Sequence, residues 1–107
     1  MSQTQPFVTV SPEVIRTLVR NTVLAMPDVR GLVGGARRLG GRAPAAIEVS
    51  IDAEGGVVRV SLCVAAAADV PLLKLGEQIQ DEVIAVVEEI VGLRVASVDV
   101  SFEDVKA

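Results

Sequence analysis

Between Ile47 and Val64 apolar and polar residues alternate with a period of two, and this alternation constrains the fold more than any other feature of the chain. Ile47-Glu48-Val49-Ser50-Ile51 is one run, Val58-Arg59-Val60-Ser61-Leu62-Cys63-Val64 is the other, and Asp52-Ala53-Glu54-Gly55-Gly56 between them has turn chemistry. The pattern predicts a β-hairpin. Ile47, Val49, Ile51, Val58, Val60, Leu62 and Val64 share one face, and Glu48, Ser50, Arg59, Ser61 and Cys63 share the other. A sheet divided in this way is covered on one side only, so the rest of the chain must supply the cover.

Two segments can supply it. Ser11-Pro12-Glu13 is a helix start, with a hydroxyl to accept free backbone donors, proline at the first helical position and a carboxylate near the positive end of the dipole. Val14, Ile15, Leu18, Val19, Val23 and Met26 then recur at helical spacing, and Pro27 stops the helix. A second helix is predicted from about Pro71 to Val91, capped by Asp69, striped by Leu72, Leu75, Ile79, Val83, Val86 and Ile90, and ended by Gly92. Gly76 inside it costs about 1 kcal/mol relative to alanine, which close approach of the first helix would explain. A last strand, Arg94 to Phe102, places Ala96, Val98, Val100 and Phe102 on the apolar side, and Phe7 to Val10 reads as a short edge strand. The expected fold is therefore α+β, a two-layer sandwich in the order β-α-β-β-α-β, with two helices on one face of a small mixed sheet. Residues 1–6 read as a disordered N-terminus and residues 7–104 as a single domain.

Composition removes several functions. There is no histidine, which excludes Ser-His-Asp and Cys-His triads and histidine-ligated metals. Cys63 is the one cysteine, so an intramolecular disulfide is excluded, and without a histidine to activate it the thiol reads as a small packing residue. Phe7 and Phe102 are the only aromatic residues, too few for a base-stacking platform. The sequence has no apolar run of membrane-spanning length and no basic, then apolar, leader, so a soluble, unsecreted domain is expected.

The segment after Asp28 is irregular, with five glycines and four arginines between Val29 and Ala46. Gly35 and Gly40 have the spacing of a phosphate loop, but Gly41 and Arg42 stand where lysine and a hydroxyl residue are needed. Gly31-Leu32-Val33-Gly34 has the GxxG spacing of a KH module without its basic residues. Charge is split along the chain: residues 1–44 carry a net +4 and residues 45–107 a net −8. The candidate partner-binding residues are Arg37, Arg38 and Arg42 in the glycine-rich loop, and Glu77, Asp81, Glu82, Glu88 and Glu89 on the second helix. No residue is assigned to catalysis, a cofactor or a metal. The second helix carries its carboxylates on an exposed face without apolar walls to shift them, so no enzyme is expected.

Ser11-Pro12-Glu13-Val14-Ile15, Pro27-Asp28-Val29, Ile79-Gln80-Asp81-Glu82-Val83, Val91-Gly92 and Val98-Asp99-Val100 occur in an order and spacing that resembles the alkaline shock protein family, also called the general or envelope stress response family, of mainly Gram-positive bacteria. The resemblance spans about residues 7–104. Asp28 replaces the family's usual glycine after proline, and residues 34–44 hold more arginine than the family pattern. The resemblance implies a small cytoplasmic protein with no catalytic residues to transfer, sometimes held at the membrane by a separate anchor protein and sometimes linked to lipid synthesis. The resulting expectation is a non-enzymatic, self-associating adaptor or scaffold of the cell-envelope stress response, working through protein partners, a membrane-anchor protein among the candidates, and as a homo-oligomer. No direct membrane insertion is expected. The alternatives are a nucleic-acid-binding module using the Gly/Arg loop, which net acidity and the lack of aromatics disfavour, and a regulatory accessory protein for lipid synthesis.

Overall fold

In the computed structural model, residues 10–34, 45–52 and 56–103 are described. Helix α1 (Pro12–Leu24) is followed by β1 (Val29–Leu32), β2 (Ile47–Asp52), β3 (Val57–Ala66), α2 (Leu72–Val86) with a π-helical turn (Val87–Val91), and β4 (Arg94–Phe102). The order is α-β-β-β-α-β, which corrects the expected β-α-β-β-α-β. Val10 belongs to no strand, and residues 7–9 of the expected edge strand lie outside the described residues, as do residues 1–6. β1 instead arises inside the segment read as irregular. Four residues long, with Gly31 inside it and a bulge between Val29 and Gly31, it has no alternation to announce it.

β3 is the strand that the others share. β2 pairs antiparallel with its first part, Ile47 opposite Leu62 and Ile51 opposite Val58, as the hairpin reading expects. β1 pairs antiparallel with its last part, Leu32 opposite Val64. The Cys63 N–H donates to the Ala46 carbonyl and the Cys63 carbonyl accepts from the Val33 N–H, each at 3.0 Å, so β1 and β2 lie end to end along one edge of β3. β4 runs parallel to β3 along the other edge. Antiparallel pairs therefore predominate in a mixed four-stranded sheet.

Both helices pack on the apolar face. Ile15, Val19 and Val23 of α1 and Leu75, Ile79 and Val83 of α2 are fully or almost fully buried, in one cluster with Ile47, Val58, Val60, Leu62, Val64 and Val98. α1 lies against β1 and β2, and α2 lies against β4. Four expected inward residues point elsewhere. Val58 pairs with Val95 and Arg59 with Ser97, so Ala96 is the extra residue of a bulge: Ala96 is exposed and Val95 packs on the core. Ile90 is 68% exposed while Val87 is fully buried, because the π-turn advances fewer degrees per residue and carries Ile90 off the stripe. Val14 and Leu72 are likewise exposed, at 55% and 46%.

The caps also differ from expectation. Ser11 holds the N-cap position of α1, but its hydroxyl makes no capping bond; its carbonyl accepts from the Val14 N–H at 3.1 Å. α2 begins after Pro71, and Asp69, in the left-handed region at φ 64°, does not cap it. Gly92 ends the π-turn at φ 83°, donating to the Val87 carbonyl at 3.2 Å. A Cβ on Gly76 would meet the Phe102 ring at 3.5 Å, so the neighbour of this glycine is β4 and not the first helix.

Three substitutions test this packing by thermal or urea unfolding. Ile79→Ala, at a fully buried position, should lose about 2–5 kcal/mol, a large share of the stability of a small domain. Gly76→Ala should gain about 0.5–1 kcal/mol, since 3.5 Å is ordinary van der Waals contact and the helix gains an alanine. Gly92→Ala should lose about 1 kcal/mol, because an L side chain at φ 83° is strained.

Candidate functional site

The outer face of the sheet is polar. Ser50, Arg59 and Ser97 form one cross-strand row, and Glu48, Ser61 and Asp99 form the next. Cys63 lies on this face beside Ser101 but is only 8% exposed, in keeping with a packing residue. None of the described polar or charged side chains is buried. The one ion pair among the described residues joins Arg16 and Glu13 of α1 at 2.8 Å, and the Arg16 Nε also donates to the Ile47 carbonyl at 3.2 Å, closing part of the β2 edge.

The acidic candidates all lie on α2 or its π-turn, and all are exposed. Their helical spacing divides them. Glu77, Asp81 and Glu88, four and seven residues apart, follow one line, whereas Glu82 and Glu89, seven apart, follow a second line. Glu88 is not free: its carboxylate accepts the Val95 N–H at 3.1 Å, tying the π-turn to the start of β4. None of these five carboxylates forms an ion pair with a described residue. Arg37, Arg38 and Arg42 lie outside the described residues, as do Gly35 and Gly40. Gly31 and Leu32 of the GxxG sequence belong to β1, a strand rather than a turn between helices.

Two surface features have no clear signal in the sequence. Val14 and Ile90, both expected inside, instead line an apolar groove of about 620 Å³ with Val10, Leu18 and Val91, between α1 and the π-turn. The second is the outer edge of β4. The Glu103 N–H donates to the Val64 carbonyl at 2.9 Å, so odd-numbered residues at this end of β4 direct their backbone groups at β3, and Val98, Val100 and Phe102 direct theirs outward. The Gln80 side-chain amide reaches over from α2 and donates to the Val98 carbonyl at 2.9 Å. Among the described residues no strand pairs with this edge.

Among the described residues no group of three or more Cys, Asp and Glu side chains could hold a metal ion, and no helix is long and apolar enough to cross a membrane. Solved structures similar to the chain include forms of the MamM CTD. A cadmium form has a TM-score of 0.56 at 16% identity, covering 90% of this chain and 100% of that one. A manganese form has a TM-score of 0.54 at 15% identity, covering 87% and 98%. At such identities the likeness shows the shared fold alone. No curated protein sequence matches the chain. The motifs spread from Ser11 to Val100 do have a counterpart in a family: over residues 1–107 the sequence matches the alkaline shock protein 23 family, of cell envelope-related function, and the chain belongs to that family.

Proposed function

We propose that the chain is a non-enzymatic, self-associating adaptor of the cell-envelope stress response, in which Arg37, Arg38 and Arg42 of one copy meet the carboxylates of α2 on another. The observation that carries this reading is the set of Glu77, Asp81, Glu82, Glu88 and Glu89, all exposed and without an ion pair among the described residues, in a chain whose first 44 residues are net basic. Glu77 and Asp81, one helical turn apart, repel each other weakly, so their proximity costs the helix a little unless a cation joins them. The surface position of the carboxylates offers none of the desolvation on which acid-base catalysis depends, which supports a binding role over an enzymatic one. A cytoplasmic site, with membrane association through an anchor protein, fits family membership and the lack of a membrane-spanning helix among the described residues.

Contact between a basic loop and an acidic helix joins unlike patches and need not close, so it builds rings or open chains of subunits in addition to any symmetric dimer. Each exposed ion pair is worth less than about 1 kcal/mol. Raising salt from 0.1 M to 1 M shortens the Debye length from about 10 Å to about 3 Å, so such an assembly should loosen. Sedimentation at both salt concentrations tests this. The variant with Arg37→Glu, Arg38→Glu and Arg42→Glu should be smaller than the wild type at low salt and equal to it at high salt. Equal sizes in both buffers would refute the charge-driven assembly.

A further inference from the structure

Among the described residues, the outward-facing backbone of β4 is open at one end and plugged at the other. The Glu88 carboxylate takes the Val95 N–H and the Gln80 amide takes the Val98 carbonyl, while the N–H and carbonyl groups of Val100 and Phe102 have no partner among the described residues. Unpaired backbone groups on a strand edge are a template for one more strand. Leu73, 82% exposed, lies seven residues before Gln80 and so on the same flank of α2, about one turn before Gly76, whose neighbour is the Phe102 ring. Asp99, Ser101 and Glu103 alternate on the opposite, outer face. A strand added here would place one set of side chains against Leu73 and the other beside carboxylates.

A second copy of the chain cannot use the same edge symmetrically. Antiparallel pairing of two β4 strands puts both helical layers on one face, with the strands about 4.8 Å apart. α2 packs on β4, and two helices need about 8–10 Å between their axes, so the two α2 helices would occupy the same space. The edge admits a strand that carries no helix above it.

We propose that the open edge of β4 at Val100 and Phe102 binds an extended segment of a partner protein, alternating apolar and basic residues, as an added strand. The proposal rests on the adaptor reading and specifies where and how a non-identical partner docks; it is independent of the arginine loop, so it can fail while salt-dependent self-association stands, and the reverse. The apolar residues of the segment cover Leu73, and its basic residues face Asp99 and Glu103.

The test uses a labelled six-residue peptide of alternating lysine and valine, titrated into the full chain and read by fluorescence anisotropy and by backbone amide shifts. Saturable binding is expected, with shifts concentrated between Val98 and Glu103. The same peptide N-methylated at every residue, which has no N–H for the ladder on either edge, should bind about tenfold more weakly. Leu73→Lys changes a side chain already in solvent and should weaken binding several-fold. Val100→Pro should do the same: the N–H it removes points away from β3, so no bond of the existing ladder is lost. Equal binding of the N-methylated peptide, or of a glutamate-valine peptide, would overturn the proposal, as would unchanged affinity in both variants. Binding seen only after removal of residues 1–9 would also overturn it, by showing that the chain's own N-terminal segment occupies the edge.

Discussion

Everything in this fold depends on burying one face of β3. Val58, Val60, Leu62 and Val64 alternate along it and are at most 2% exposed, and burying a side chain of this kind is worth about 1.5–3 kcal/mol. β3 is also the strand to which all the others bond: β1 and β2 share one of its edges and β4 takes the other. Losing the apolar stripe would leave α1 and α2 without a surface to cover. Because the stripe is nearly continuous and aliphatic, the helices need only the single buried rows Ile15-Val19-Val23 and Leu75-Ile79-Val83 to seal it. Their other faces are free to carry charge.

What could be read from the sequence is what obeys a regular period. The hairpin from Ile47 to Val64 and its inward set are as the alternation predicts, and the buried rows of both helices follow the helical repeat. What could not be read sits where the period is broken by one residue. The bulge at Ala96 reverses inward and outward for the start of β4, and the π-turn carries Ile90 into solvent. β1 was hidden for a related reason, since four residues with a glycine and a bulge leave no period to detect. Gly76 is a different lesson. The sequence marks it as a place where something comes close, but only the fold shows that the neighbour is Phe102, twenty-six residues along the chain.

The candidate surfaces divide in the same way. Sequence identifies the acidic residues of α2, because charge on one side of an amphipathic helix is a local property. It does not show that Glu88 and Gln80 reach the backbone of β4, because those contacts join elements that meet only in the folded chain. Nor does it show which strand ends with an open edge, a property of strand order rather than of any residue. The polar outer face, the two acidic lines on α2 and the edge beside Leu73 all lie outside the apolar core.

The most direct measurement is residue-resolved amide hydrogen exchange along β4 in the free protein. The parallel register of β4 on β3 directs the N–H groups of Asp99, Ser101 and Glu103 at β3 and those of Val100 and Phe102 away from it. Exchange should therefore alternate, with Asp99 and Ser101 slow, Val100 and Phe102 fast, and the amides between Val58 and Val64 among the slowest in the molecule. Uniform protection from Val98 to Phe102 would mean that another strand already covers this edge, and would contradict both the sheet order and the open edge that follows from it.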